Sequence, residues 1–411
     1  MKVMTRAIPI TRFLLCFILF VLVAPYRAFS QQCDSLTKNE TFPSKIFGRN
    51  RELIISLPHE YYTDSNKRFP VVYLFDAQFR PLFNYMQATI RYISGNRSLD
   101  PVIIVGIKTT DRFFEFLPNP KTANPFDYNP DPYYEKQKVG GADTLLQSIK
   151  NEIAPLIERN YRTLPVRIGL GHSLGGSFLT HFLKEEPTFF NAIIAVSPNY
   201  AYDKEQLVHT FTTFLKKKKT TPVFLYLARG KTSEVMFNQG IEKIVAAANK
   251  HKDAALQFSY EVLDVANHSN TSLEGFLRGL LSYHSSIYKS AETIIAYYTK
   301  LGEAAGYKLD ATQINQLAYD YFMEPNGYKE AIKLFSWGIT LYPDEDNLYD
   351  SMGDAEEGLN NKEAALAATA KSIAVLERRK TTLDEKTYAE RKRYYSEKLE
   401  RLKKPATKPA H

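Results

Sequence analysis

Six residues near the middle of the chain, Gly171-His172-Ser173-Leu174-Gly175-Gly176, constrain its fold more than any other feature. They follow an apolar run at residues 166–170 and open a helical pattern at Leu174. A strand that turns directly into a helix across Gly-x-Ser-x-Gly holds its serine on a tight bend with strained dihedrals. The residues two before and two after must then be minimal, and here both are glycine. The following helix aims its first amides and its positive end at the bend, where they can hold a developing oxyanion. Ser173 is therefore a candidate nucleophile; the competing reading is a glycine turn whose serine only caps the helix.

The surrounding sequence has the rhythm of a mainly parallel sheet covered by helices, with short β-branched and aromatic runs alternating with amphipathic stretches. Strands are expected at 52–57, 69–75, 101–106, 166–170, 192–196, 223–227 and 258–263. Several are apolar throughout, as strands buried on both faces should be. Helices are expected at about 143–160, 174–185, 204–217, 234–250 and 272–289. The Pro-, Asn- and Tyr-rich segment 117–134 has no period and reads either as cleft lining or as an exposed excursion.

A serine hydroxyl needs a histidine to take its proton, and the histidine needs a carboxylate to fix its tautomer. In the α/β-hydrolase arrangement the order along the chain is serine, acid, histidine, each at the carboxyl end of a strand. His268 alone of the eight histidines follows the last expected strand and precedes a helix, so it is the candidate base. The acid should follow strand 223–227, where Glu234 is the carboxylate available; Asp264 is the alternative. Ser233-Glu234 also suits a plain helix start. Oxyanion donors are expected from the amide of Leu174 and from Ala77 or Gln78, after strand 69–75. No metal or cofactor is required by this chemistry.

The chain of 411 residues is longer than one core usually grows, so a hydrolase-sized domain with an appendage is expected. With 44% hydrophobic and 13% aromatic residues it has enough apolar surface to order both. Residues 1–30 read as a signal peptide: Lys2, Arg6 and Arg12 precede an apolar run at 13–24, and Ala28 and Ser30 suit cleavage before Gln31. The run is shorter than a bilayer span, so no stable membrane span is expected after cleavage. Removing Lys2, Arg6, Arg12 and Arg27 lowers the formal charge from +8 to +4, which argues against nucleic acid as a partner. Cys33, alone after cleavage, excludes an intrachain disulfide, and Ser30-Gln31-Gln32 lacks the small apolar pattern of a lipid site.

Past residue 290 the strand pattern stops. Ala331 and Ala365, Ile339 and Ile373, and Leu341 and Val375 are each 34 apart, the period of tetratricopeptide repeats. Two such units carry more apolar surface than they can bury internally, so a protein partner or docking contact is expected. The assignment is a signal peptide at 1–30, an α/β-hydrolase domain at 31–290, an all-α repeat domain at 291–378 and a charged, frayed tail at 379–411.

Residues 51–58, Phe69 to Asp76, Val105-Gly106-Ile107 with Asp111-Arg112, the Gly171–Gly176 motif and Ser197-Pro198 make the chain resemble the putative esterase branch of the α/β hydrolases. That branch includes enterochelin-type esterases, feruloyl esterases and S-formylglutathione hydrolases. The resemblance covers about residues 44–288 and implies ester hydrolysis by Ser173, His268 and Glu234. Two departures stand out. Ala77 replaces the glycine many relatives carry, which is tolerable if that position needs no positive φ. The stretch Arg112–Pro118 is also more aromatic and less charged than its family counterpart. Arg112, Phe113, Tyr200 and Tyr202 are the expected substrate contacts. The reading is an exported serine hydrolase of a small-molecule ester, periplasmic or secreted; the alternatives are a hydrolase-fold scaffold that uses the repeats, and an acyltransferase or peptidase on the same fold.

Overall fold

A computed structural model describes residues 37–404 except Glu234 and Val265; the signal-peptide region and Cys33 lie outside the described residues. The chain divides into two units, 1–283 and 284–411.

The first unit is built on one eight-stranded sheet. Its strands are β1 (Thr37–Ser44), β2 (Arg49–Ser56), β3 (Phe69–Leu74), β4 (Ile103–Ile107), β5 (Thr163–His172), β6 (Ala192–Val196), β7 (Val223–Gly230) and β8 (Leu256–Leu263). Their spatial order is β1-β2-β4-β3-β5-β6-β7-β8. β1 and β2 form an antiparallel hairpin, β2 pairs antiparallel with β4, and the remaining pairs are parallel. β3, β4 and β6 are buried at every position, which explains their unbroken apolar sequence. β1, mostly polar and half-exposed, was not expected.

Apart from single turns at Glu60–Thr63 and Pro132–Glu135, the helices of this unit are α1 (Arg80–Gly95), α2 (Arg112–Phe116), α3 (142–160, with a π-turn at Ile149–Ile153), α4 (Leu174–Glu185), α5 (Tyr202–Leu215), α6 (Val235–Lys250) and α7 (Thr271–Tyr288), within which the unit boundary falls. α1 is a further addition; its buried Phe83, Met86, Ile90 and Ile93 recur every three or four residues. The chain passes from β3 to β4 on one side and then crosses to β5 on the other side of β3, so the order of strand addition reverses between β3 and β5 while the strands stay parallel. In open α/β sheets the crevice at the carboxyl ends of such strands is where ligands bind.

Segment 117–134 stays irregular apart from the start of a one-turn helix, Pro132–Glu135. Its Phe126, Tyr133 and Tyr134 pack edge-on or tilted around Phe113, Tyr128 and Tyr202. The Asp203 carboxylate accepts from the amides of Lys121 and Thr122 and from the Thr122 hydroxyl. Asp203, Lys204 and Glu205 all take left-handed backbone angles at this clasp.

The second unit is helical: α8 (Ala291–Ala305), α9 (Ala311–Phe322), α10 (Tyr328–Leu341), α11 (Asp346–Gly358), α12 (Lys362–Arg378) and α13 (Glu385–Lys403). Capping boxes at Ser290 and Asp310 start α8 and α9, and left-handed Gly306 ends α8. From α9 onward each helix packs on the next, and α10 and α12 begin 34 residues apart. On α10, Ala331, Leu334 and Phe335 are buried within the unit, leaving Leu341 exposed and Trp337 partly so.

The expected frayed tail is corrected, because most of it forms α13. Tyr388, Tyr395 and Leu402 recur every seven residues and are buried, while Arg391, Lys392, Lys398 and Arg401 among the intervening charges pair with acids on earlier helices. Fully buried Asp346 accepts from Arg379, Arg391 and the Tyr395 hydroxyl. Buried Lys398 reaches Asp350 at 2.7 Å and Asp354 at 2.5 Å. Among the described residues no helix is long and apolar enough to cross a membrane.

Candidate active site

Because β3 and β5 to β8 run parallel, the loops that follow them open on one edge of the sheet. Ser173 joins β5 to α4 at φ 56°, ψ −119°, a strained conformation for a residue with a side chain. Its amide is held by the Val196 carbonyl at 3.0 Å. A Cβ on Gly171 would lie 2.4 Å from the Gly175 carbonyl oxygen, so the turn demands glycine there. The demand is weaker at Gly175, where the nearest atom, an Asp76 carboxylate oxygen, would be 3.5 Å away.

His268 Nε2 lies 3.0 Å from Ser173 Oγ, so two residues 95 apart in sequence meet in nucleophile–base geometry. The His268 loop is shaped locally by Asn267, whose side chain accepts from the amides of Ser269 and Asn270. It is also tied to the β7 loop: the Thr232 hydroxyl donates to Ala266 O at 3.0 Å, and a Cβ on Gly230 would meet that oxygen at 2.3 Å. The Phe237 ring stacks on the His268 imidazole with centroids 4.5 Å apart. Sequence reasoning missed Phe237, although its place at the opening of α6, three residues past Glu234, was a usable signal.

Glu234 lies outside the described residues. Asp264, the alternative acid, has a side chain 78% exposed and is paired with Lys231 Nζ at 2.9 Å. That hydrogen bond holds its carboxyl below the usual carboxylate range.

At the end of β3 the positive φ falls on Asp76 (63°), and Ala77 is not among the positive-φ residues. Of the expected oxyanion donors, Leu174 is the first residue of α4. The Ala77 amide already donates to Ile107 O at 3.1 Å, which removes it as a donor to substrate and leaves Gln78. The Gln78 side chain bridges inward, with Nε2 donating to Asp76 and Oε1 accepting from the Thr109 amide.

The expected substrate contacts fare differently. Tyr200 and Tyr202 are corrected to core residues. Tyr200 is 1% exposed and its hydroxyl pairs with Thr180 Oγ1, while Tyr202 is 5% exposed and donates to Pro118 O. Large rings on an apolar sheet edge fill the interior once their hydroxyls find partners there. Phe113 sits half-buried in the aromatic cluster of segment 117–134. Arg112 spends Nε on both Asp76 oxygens, at 2.9 and 3.0 Å, and Nη2 on His172 O at 3.2 Å.

The His172 ring lies behind the pair, with Nε2 2.7 Å from His268 O. Burial, reinforced by the nearby His268 and Arg112 charges, pushes its pKa down to about 3 against the opposing effect of that hydrogen bond. A second buried pair underlies α2. Arg51 meets Glu115 in a two-pronged contact at 2.6 and 2.7 Å, and the Thr110 amide donates to the same carboxylate.

The family model described as Esterase, putative esterase, matches residues 44–274. Ferri-bacillibactin esterase BesA of Bacillus subtilis (strain 168) is 31% identical over 179 residues, 40% of this chain and 61% of that protein. The siderophore triacetylfusarinine C esterase of Aspergillus fumigatus is 31% identical over 98 residues, 23% of this chain and 34% of that protein. The chain thus spans about three-fifths of one curated relative and a third of the other. A solved structure of an IroE-like serine hydrolase from Shewanella oneidensis superposes with a TM-score of 0.60 at 22% identity, covering 79% of this chain and 99% of that one, and shares the α/β-hydrolase fold. With the family model spanning more than half of its length, this chain belongs to the putative esterase family of α/β hydrolases.

Proposed function

We propose that the chain is an exported serine hydrolase that cleaves carboxylic esters through an acyl-enzyme. The 3.0 Å contact between Ser173 Oγ and His268 Nε2, on a strained strand-to-helix turn, carries this reading. His268 takes the Ser173 proton as the hydroxyl attacks the ester carbonyl, then returns it to the leaving alcohol; water repeats the sequence on the acyl-enzyme. The Leu174 and Gln78 amides stabilise the tetrahedral oxyanion. Glu234 fixes the His268 tautomer and balances its cation. Its place in the chain, between the end of β7 and the start of α6, suits that role, and Asp264 is already engaged with Lys231 in solvent.

The two curated relatives carry the names ferri-bacillibactin esterase and siderophore triacetylfusarinine C esterase, so siderophore-type esters are the first substrates to try. The charge and hydropathy pattern of residues 1–30 supports action outside the cytoplasm. The test combines intact mass after fluorophosphonate treatment with hydrolysis of p-nitrophenyl esters. One adduct is expected on the unaltered chain and none on Ser173→Ala. Ser173→Ala and His268→Ala should lose nearly all turnover, while Glu234→Gln retains some. Asp264→Asn should stay near the starting rate; if it proves the more damaging at unchanged melting temperature, the acid is Asp264.

A further inference from the structure

We propose that His172 and Arg112 are positioning residues that lock the oxyanion loop, the nucleophile turn and the base loop into one register. The inference rests on the esterase reading above and adds to it two side chains that touch none of the reacting atoms.

The network can be followed bond by bond. At its near end the Thr109 amide donates to Gln78 Oε1, and Gln78 Nε2 donates to Asp76 at 2.9 Å. Asp76 is buried and left-handed, so its loop needs outside support to stay as it is. Arg112 supplies that support by spreading Nε across both carboxylate oxygens. The same guanidinium places Nη2 on the carbonyl of His172, the residue next to the nucleophile. A planar fork can serve both acceptors at once; a lysine ammonium on a flexible stem cannot hold the same geometry.

His172 carries the connection to the base. The oxygen of His268 can only accept, so the proton on the His172 ring sits at Nε2 and is donated across 2.7 Å. Burial keeps this imidazole neutral, and so in its one-donor form, through the ordinary working range of pH. The Thr271 hydroxyl donates to the same carbonyl at 3.0 Å, and Ser197 Oγ lies 2.9 Å from Thr271 Oγ1. Having given its hydrogen to His268, Thr271 must accept from Ser197, so both lone pairs of the His268 carbonyl are filled by oriented donors. The backbone beneath the base is therefore fixed from two sides, and one of these anchors runs back through Arg112 to the oxyanion loop.

Oxyanion donors and a general base act at full strength only when held close to their transition-state positions. Loss of the linkage should thus appear in the chemical step and leave ground-state binding nearly untouched. The test uses the full chain with His172→Leu, His172→Gln and Arg112→Lys, read by kcat and KM on p-nitrophenyl acetate and by inhibition with an aryl trifluoromethyl ketone, which forms an oxyanion on the serine. His172→Leu and Arg112→Lys should lower kcat about 100-fold, as loss of an oxyanion donor does, with KM within about threefold. Ketone affinity should fall in parallel. His172→Gln, whose amide nitrogen can replace Nε2 as donor, should recover most of the rate.

A His172→Leu variant with unchanged kcat at an unchanged melting temperature overturns the proposal. So does a folded His172→Gln no better than His172→Leu, or ketone affinity that ignores the kcat losses. If His172→Leu does not fold, Arg112→Lys and His172→Gln decide the matter by the same criteria. If the unaltered chain neither turns over esters nor takes the fluorophosphonate, the esterase reading itself falls; an active chain with indifferent variants removes only the network.

Discussion

Replacing His172 with Gln should make the first unit less sensitive to acid, and the size of the effect can be worked out from the site. Burial is the main cause that lowers the His172 pKa from 6.5 to about 3, with the His268 and Arg112 charges adding to it. In the unfolded chain the same imidazole takes up a proton near 6.5. Between these values the unfolded state binds more protons than the folded one, so stability falls as pH falls. The contribution is fully present above about 6.5 and is lost as the pH descends toward 3. At pH 5 the unfolded imidazole is almost fully protonated while the folded one is neutral, which amounts to about 2 kcal/mol lost relative to pH 7. The figure follows from the unfolded titration, because any folded value well below 5 leaves the ring neutral there. Trp337 lies in the second unit, so the assay is hydrogen exchange of β5 and β6 peptides at pH 7, 6 and 5, corrected for intrinsic rates. The unaltered chain should lose about 2 kcal/mol more protection over that interval than His172→Gln, which has no imidazole to titrate. Equal losses in the two would refute the claim that a neutral, desolvated imidazole sits beneath the active site.

Two further outcomes are expected. Glu115→Gln leaves the buried Arg51 guanidinium without its anion, at a cost of about 3–5 kcal/mol. It should lower the melting temperature and, because Glu115 and Arg112 share α2, reduce kcat as well. Lys398→Met strands Asp350 and Asp354 beside a methyl group and should destabilise the second unit by a similar amount, about 3–5 kcal/mol. Urea titration followed by Trp337 emission checks this, and an unchanged midpoint would mean that α13 is held by its tyrosines and Leu402 alone.

Much of the sheet was legible because its signal is local. Strands buried on both faces must be apolar throughout, and 192–196 matches β6 while 69–75 and 223–227 fall on β3 and β7. β1 escaped because it lies at the sheet edge, where backbone pairing with β2 forms the strand and the side chains are free to be polar. α1 is a plain amphipathic helix and could have been read from Phe83, Met86, Ile90 and Ile93. The tail was judged by its charge, yet its seven-residue spacing of Tyr388, Tyr395 and Leu402 marks a buried stripe, and the acids that neutralise it lie some fifty residues upstream on α11.

The candidate site divides along the same line. A tight turn leaves its mark in adjacent residues, so Ser173 and the glycine before it could be found by spacing, and His268 by its place after the last strand. What a side chain does once it is there depends on partners that spacing does not reveal. Arg112 looks like a free cation poised for substrate until Asp76, 36 residues earlier, takes its Nε. Tyr200 and Tyr202 look like a cleft until Thr180 and Pro118 satisfy their hydroxyls inside the core. His172 reads as an incidental member of the motif, but its ring reaches across 96 residues to the carbonyl of His268. The His172 side chain, beside the candidate nucleophile, is half-buried and engaged with the loop that carries His268. On the proposed reading, the elbow motif carries chemistry at Ser173 and alignment at His172.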